Sequence, residues 1–351
     1  MKPRILSVVG GRPEIIQAAP LAAALAPIAE EIIVHTGQHY DHAMSQGQIV
    51  AVELPTPRFN LEVGSRPDVE QLEVGKERLI ELIARVRPMG VIVRGDTNAT
   101  LAGARAAAET GVPVLHVEAG LRSYRAGMPE ERNRIEVDRL SDVLFAPTAR
   151  AGERLLAEGV RGTVHVTGDP LCDVLESLRS RVEAATGTYL LATIHRDYNT
   201  STPERLTSVL ACLERSPWPV ILPVHPRTRA AIGRWELAVP GNVRLIDPVP
   251  YTRMLELERG AQAIATDSGG VQREAYMWGV RCVTLRDETE WVETVEAGWN
   301  TIVGVDSDAF AEALERPLPA ARAPVFGDGH ACERIAQLTV DFLTERAEAT
   351  T

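Results

Sequence analysis

The sequence predicts an α/β protein of two Rossmann-like, doubly wound domains, and three observations predict it. The chain has 351 residues, which at roughly 150 residues per domain fits two domains. Short, continuous runs of β-branched and apolar residues alternate with amphipathic stretches, the mark of parallel strands covered by helices on both faces. After the polar, weakly patterned stretch Arg179–Gly187, the same pattern restarts near Tyr189.

In the first half the runs Ile5–Val9, Ile32–Thr36, Val91–Arg94, Pro113–Val117, Asp142–Ala146 and Thr163–Thr167 end at Gly, Pro or polar residues and read as strands. The second half supplies Tyr189–Ile194, Val220–Val224, Val243–Ile246, Ala261–Thr266 and Arg281–Leu285. Between them Val69–Arg87, Ala99–Glu109, Pro203–Arg215 and Val271–Trp278 carry apolar residues at helical spacing. The turn Thr167-Gly168-Asp169-Pro170 places the boundary near residue 170. The expected organisation is residues 1–169, residues 170–330 and a final helix within 331–351. That helix, Ala331–Arg346, follows the Gly-rich turn Gly327-Asp328-Gly329-His330.

Composition narrows the function. Apolar residues make up 45% and charged residues 24%, with 37 Lys+Arg against 48 Asp+Glu for a net charge of −11. That charge argues against non-specific binding to nucleic acid or an acidic membrane. No apolar run approaches the roughly 18–20 residues that span a bilayer. Met1–Gly10 is too short and wrongly flanked for a signal peptide, so a cytoplasmic location is expected. Cys172, Cys212, Cys282 and Cys332 lie far apart without a Cys-x-x-Cys pair, which predicts isolated reduced thiols rather than a zinc site or disulfides. The histidines have no ligand spacing, so no metal is expected. Neither a Gly-x-x-x-x-Gly-Lys-Ser/Thr loop nor a Gly-x-Ser-x-Gly elbow is present.

Doubly wound domains bind ligands beyond the carboxyl ends of their strands, so the residues there carry the functional reading. The first strand ends in Gly10-Gly11-Arg12-Pro13-Glu14. It reads either as a plain strand–helix turn or as an anion site in which a helix N-terminus is joined by the guanidinium of Arg12. It is not a dinucleotide fingerprint. Asp96, in Gly95-Asp96-Thr97-Asn98, either projects toward a ligand or N-caps the next helix. Glu118 ends a strand before Ala119-Gly120, as a functional carboxylate or as an ion-pair partner of Arg122 or Arg125. Glu130 and Glu131 open a helix after Pro129, where macrodipole compensation accounts for one of them.

In the second half two strands end in His195-Arg196 and His225-Pro226-Arg227, forming a cationic rim. The strand ending at Thr266 runs into Asp267-Ser268-Gly269-Gly270 and a helix. That is an ordinary N-cap or a cradle of backbone N–H groups and a hydroxyl for a diphosphate, with Glu274 one turn on as an acceptor for ribose hydroxyls. Arg286-Asp287-Glu288-Thr289-Glu290-Trp291 follows the next strand.

These residues, in this order, resemble the UDP-N-acetylglucosamine 2-epimerases. The resemblance runs through Gly10–Glu14, Thr36-Gly37-Gln38-His39, Gly95-Asp96-Thr97, His116–Ser123, Pro129–Arg134, Ala146-Pro147-Thr148, Thr167-Gly168-Asp169, His195-Arg196, Pro223-Val224-His225, Asp267–Glu274 and Gly327-Asp328-Gly329. It implies the glycosyltransferase-B fold, with a UDP-sugar between two Rossmann-like domains and a final helix crossing back to the first. It also implies no metal or redox cofactor and a homodimer. By similarity Asp96, Glu118, Glu130 and His195 take the catalytic positions. Arg12, Ser268, Gly269, Gly270 and Glu274 match the nucleotide-binding ones, and Gln17 and His225 are counted with that set.

Several positions depart from the family pattern. Gln17 stands where a lysine is expected, and Asp197-Tyr198 replaces Arg-Glu in the His-Arg-Arg-Glu-Asn stretch. Arg273 replaces the first Glu after Ser-Gly-Gly-x-Gln, and Trp291 replaces the arginine of Thr-Glu-Arg-Pro-Glu. The Thr-Glu-Trp form also resembles relatives that epimerise UDP-2,3-diacetamido-2,3-dideoxyglucuronate, the alternative substrate. A hydrolysing 2-epimerase, a UDP-sugar glycosyltransferase on the same fold and a non-enzymatic UDP-sugar sensor are the remaining alternatives.

Overall fold

The computed structural model describes residues 2–37, 52–64, 66–125 and 127–350. The chain divides into two compact units, Met1–Ser177 with Pro324–Thr351, and Leu178–Ala323.

Unit 1 holds a seven-stranded parallel sheet of β1 (Arg4–Val9), β2 (Glu30–His35), β3 (Phe59–Asn60), β4 (Gly90–Arg94), β5 (Val114–Val117), β6 (Val143–Ala146) and β7 (Thr163–Val166), in the order β3-β2-β1-β4-β5-β6-β7. Unit 2 holds a six-stranded parallel sheet of β8 (Leu190–Thr193), β9 (Val220–Pro223), β10 (Val243–Ile246), β11 (Ala263–Thr266), β12 (Arg281–Thr284) and β13 (Asn300–Ile302), in the order β10-β9-β8-β11-β12-β13. The two strands without a sequence signal, β3 and β13, are sheet edges of two and three residues. The expected continuous hydrophobicity holds in the central strands and fades at the edges, where β7 and β10 keep polar or exposed positions.

Alternate residues of each central strand enter opposite cores. In unit 1, Ile5, Ile92 and Leu115 pack on Leu21 and Leu25 of the helix Arg12–Leu25 and on Ile335, Ala336 and Leu343 of the last helix. On the other face Leu6, Val8, Val91 and Val93 meet Leu79 and Leu82 of the helix Asp68–Val86 and Leu101 of the helix Asn98–Thr110. Unit 2 repeats the arrangement. Leu190, Val220 and Ala265 face Val209, Leu213 and Phe310, and Leu191 and Ile264 face Met254, Leu257 and Ala275.

The units part after Ser177 and before Pro324, rather than at 169/170 and 330/331. The physical reason is local. The Asp173 carboxylate accepts the Ala331 and Cys332 amides at 3.0 and 2.7 Å, tying the helix Pro170–Leu178 to the start of the last helix. A Cβ on Gly168 would meet the Phe326 carbonyl at 3.2 Å, so the 167–170 turn is packed rather than a linker. The final helix runs Ala331–Thr350 and belongs to unit 1. The apolar positions Cys332, Ile335, Ala336 and Leu343 make one helical stripe against the first sheet.

Candidate active site

Each sheet reverses its winding once, at β1/β4 and at β8/β11. In an open parallel sheet, ligands bind beyond the carboxyl ends of the strands at such a point. The candidate residues that follow strands lie at these points or one strand away. Arg12 and Gln17 follow β1, Asp96 follows β4, Glu118 follows β5, His195 follows β8, His225 follows β9 and Ser268–Gly270 follow β11.

In unit 1 the helix Arg12–Leu25 starts at once after Gly10-Gly11, with exposed Arg12 and Pro13 in its first turn. Glu14 folds back into the turn and is buried. It accepts the Gly10 and Gly11 amides at 2.5 and 2.7 Å and the Thr97 and Thr100 hydroxyls at 2.5 and 2.8 Å. Burial pushes its carboxyl above the ordinary 4.5, against the pull of these bonds. The β1 and β4 turns are thereby joined through one carboxyl group. Thr97, not Asp96, is the N-cap of the helix Asn98–Thr110, its hydroxyl accepting from Ala99 and Thr100. Asp96 is thus relieved of the capping role, and Arg134, nearly fully buried, donates to its carboxylate.

Glu118 has φ +69°, a left-handed conformation that costs a non-glycine residue about 1–3 kcal/mol and concentrates at functional sites. Its side chain accepts from Gln17 Nε2. Its Oε1 lies beside the Gly95–Asp96 turn, 3.9 Å from where a Cβ on Gly95 would stand. Arg122 is committed elsewhere, to Asp138 at 2.7 Å and Glu158 at 2.6 Å. Of the two adjacent glutamates, Glu131 is structural: it accepts the Ser123 amide and hydroxyl and the Tyr124 amide, each at 2.9 Å. Glu130 is half-buried and lies one turn before Arg134 on the same helix face. Unit 1 therefore brings Gln17, Asp96 and Glu118 into one cluster, with Glu130 on the helix that supplies the partner of Asp96.

In unit 2, fully buried Asp267 collects the His195 amide at 3.1 Å, the Arg196 amide at 3.0 Å and Asn199 Nδ2 at 3.1 Å. His195 Nδ1 stands 3.4 Å from the same carboxylate, and the His195 and His225 rings lie 5.9 Å apart. His225 is also an N-cap, its Nδ1 accepting the Arg227 amide at 3.2 Å. Ser268 caps the helix Gly269–Trp278 and accepts the Val271 amide at 3.4 Å. The cap is compatible with an anion cradle, since the amides of Gly269 and Gly270 lie outside the helical ladder. Gly269 sits in a crowded spot: a Cβ there would displace Glu290 Oε1 and stand 2.9 Å from Trp291 Nε1. Glu274 accepts from Tyr251 Oη at 2.7 Å, both side chains buried.

Two of the departures meet in space: the Arg273 guanidinium lies 4.1 Å from the centroid of the buried Trp291 ring. Sequence reasoning missed Glu14, His116, Asp138, Asp267 and Tyr251 as hydrogen-bond partners of the candidate residues and their turns. Glu14, His116 and Asp267 stood inside motifs already singled out, beside the residues taken as functional. Gln38 and His39, in the motif Thr36–His39, lie outside the described residues.

The four cysteines are unbridged. Burial pushes the Cys172 thiol up to about 11 and those of Cys212 and Cys282 up to about 12, which keeps them from acting as nucleophiles. Among the described residues no group of three or more His, Cys, Asp or Glu is arranged to hold a metal ion, and no helix is long and apolar enough to cross a membrane.

The profile of one protein family, UDP-N-acetylglucosamine 2-epimerase, matches residues 22–339. A UDP-N-acetylglucosamine 2-epimerase homolog of Methanococcus maripaludis is 39% identical over 95% of this chain and 99% of its own. The UDP-2,3-diacetamido-2,3-dideoxy-D-glucuronate 2-epimerase of Pseudomonas aeruginosa is also 39% identical, over 95% and 98%. Among solved structures, the UDP-GlcNAc 2-epimerase of Methanocaldococcus jannaschii in complex with UDP-GlcNAc and UDP superposes with a TM-score of 0.88 at 34% identity, over 96% of this chain and 99% of that one.

Proposed function

The chain belongs to the UDP-N-acetylglucosamine 2-epimerase family, and from that premise we propose how its residues interconvert UDP-N-acetylglucosamine and UDP-N-acetylmannosamine at carbon 2. It is an isomerase with the glycosyltransferase-B fold. Carbon 2 has no adjacent carbonyl, so its proton is not acidic and the anomeric C–O bond must break with its removal. Anti elimination does this: a base takes the carbon-2 proton, the C–H pair forms the C1=C2 bond of a glycal, and the C1–O pair leaves with UDP. Re-addition of UDP with the proton returned to the opposite face gives the epimer. Electrons and atoms balance without a cofactor.

Proton transfer on two faces needs two acid–base groups, and Asp96, Glu118 and Glu130 are the candidates. The observation that carries this assignment is Glu118, held at a left-handed φ with its carboxylate beside the Gly95–Asp96 turn. These carboxylates also stabilise the oxocarbenium-like charge left as UDP departs. In unit 2 the Ser268–Gly270 turn takes the diphosphate, His195 faces the departing phosphate, His225 adds to the rim and Glu274 accepts from ribose hydroxyls. In unit 1 Arg12 supplies a guanidinium for a phosphate group and Gln17 holds Glu118. The enzyme acts as a cytoplasmic homodimer supplying a sugar nucleotide for cell-surface polysaccharide.

An NMR time course of UDP-N-acetylglucosamine in deuterated water tests the mechanism. Solvent deuterium at carbon 2 of both epimers is expected. Epimer formed with carbon 2 still fully protonated removes the elimination route, and free N-acetylmannosamine with UDP makes the enzyme a hydrolysing one. A second sugar has its own observation, because the Pseudomonas aeruginosa diacetamidoglucuronate enzyme matches as well as any relative above and the Arg273–Trp291 pair alters the segment under the diphosphate turn. A higher kcat/KM with that uronate nucleotide than with UDP-N-acetylglucosamine establishes it as the substrate.

A further inference from the structure

His116 and Asp138 have no solvent exposure at all and no part in the reaction just described. A buried histidine is usually a satisfied core residue with one partner. This one is used at both ends. His116 sits on β5 two residues before Glu118, and its Nε2 is 2.9 Å from the Gly95 carbonyl, the residue before Asp96. A carbonyl only accepts, so Nε2 carries the hydrogen and donates to it. On the other side Nδ1 meets Asp138 Oδ1 at 2.8 Å. Asp138 Oδ2 accepts the Gly120 amide at 3.3 Å, two residues after Glu118, and pairs with Arg122 at 2.7 Å. Arg122 in turn donates to Glu158, which is partly exposed.

The bonds converge on two turns. One end of the chain grips the backbone before Asp96, and the middle grips the backbone after Glu118. Glu118, at +69°, is a non-glycine residue in the left-handed region, a conformation that persists only where its surroundings over-determine it, and the Gly120 and Gly95 bonds tie the backbone on either side of the pair. We propose that the buried His116–Asp138 pair, backed by Arg122 and Glu158, is a positioning device that sets the placement of the Asp96 and Glu118 carboxylates against each other. It does not touch the substrate; it acts through the two turns. The proposal rests on the reading of Asp96 and Glu118 as the acid–base groups.

The test uses H116N, H116Q, D138N and the more peripheral E158Q in the full-length protein, with kcat and KM for UDP-N-acetylglucosamine, UDP affinity by calorimetry and Tm. Misplacing a catalytic group by about 1 Å costs on the order of 10²-fold, so H116N and D138N should lose about 10–100-fold in kcat, with UDP affinity kept within about twofold. In H116Q the amide nitrogen stands in for Nε2 and can still reach the Gly95 carbonyl, so it should recover part of the rate that H116N loses. E158Q, which loosens only the outer end and leaves the core intact, should lose about two- to fivefold in kcat. A purely structural role gives the opposite pattern: Tm falls for H116N and D138N, kcat per folded molecule stays at the wild-type value, and H116Q is no better than H116N. That pattern overturns the proposal. Should H116N and D138N fail to fold, wild-type kcat in E158Q overturns it alone. Active D96N and E118Q instead strike the acid–base reading, whereas inactive D96N and E118Q beside fully active H116N and D138N strike only the positioning device.

Discussion

The two units place their candidate residues at the same topological address and hold them by different means. At β1/β4 the candidate side chains are carboxylates, with Asp96 tied to Arg134 and Glu118 to Gln17. At β8/β11 the principal feature is backbone, a glycine turn opening a helix, with the His195 side chain 38% exposed. The difference fits the tasks proposed for the two units. Proton transfer, the role proposed for unit 1, depends steeply on the distance and angle of one oxygen atom, and a buried arginine and a strained backbone at Glu118 suit that demand. Holding a diphosphate is a matter of summed dipoles, which a helix N-terminus supplies without long side chains to immobilise.

The largest predicted effects separate the two tasks directly. D96N or E118Q should lower epimerisation by about 10²-fold or more, measured as kcat, while calorimetric UDP affinity stays near wild type. Weakened UDP binding with retained turnover in both variants would reverse the assignment of tasks to the two units. Next, G269A should act on the other side. Its Cβ collides with Glu290 Oε1 and crowds Trp291, and overpacking of this kind costs about 1–3 kcal/mol. Loss of roughly tenfold or more in UDP affinity is expected as the turn shifts, and unchanged affinity would show that the amides there do not hold the nucleotide. R12A sharpens the same comparison, because Arg12 is a unit 1 residue proposed to serve the phosphate. Removal of a charge-assisted contact worth about 1.5–3 kcal/mol should raise the UDP dissociation constant tenfold or more, with kcat at saturating substrate changed less.

The positions of these groups were legible because doubly wound domains present strand ends, and strand ends are where a sequence changes abruptly from continuous apolar to polar. Gly95-Asp96, Val117-Glu118 and Thr266-Asp267-Ser268 all show that change. Their division of labour was not legible. By type Asp96 is the better cap than Thr97, yet the cap goes to Thr97. Glu130 and Glu131 are chemically identical, yet one turns inward to three donors of the Ser123–Tyr124 loop. Pairings such as Glu14 with Thr97 and Thr100, or His116 with Asp138, join residues on different strands and helices, and hydrophobic periodicity carries no information about them. The short edges β3 and β13 escaped for a related reason: too few residues make a period, and pairing with β2 and β12 decides them.

Glu14 offers the smallest and most discriminating prediction, because it asks whether unit 1 holds its geometry with a proton as well as with charge. Burial raises its carboxyl above 4.5, so the folded protein keeps that proton to higher pH than the unfolded chain does. The sign follows from linkage: stability from this group is fully present below about 4.5 and declines as pH rises through the raised folded value, with a slope of at most about 1.4 kcal/mol per pH unit for one proton. Glutamine mimics the protonated side chain, its carbonyl able to accept from Gly10 and Gly11. E14Q should therefore differ little from wild type at pH 4 and gain on it as pH climbs toward neutrality, read by hydrogen exchange of the Arg12–Leu25 helix amides. The G269A penalty involves no proton at the substituted residue, so its cost in the helix Gly269–Trp278 should stay level over the same range. Parallel wild-type and E14Q curves from pH 4 to 7 would mean that Glu14 binds its proton equally in the folded and unfolded chain, so that burial does not raise its carboxyl.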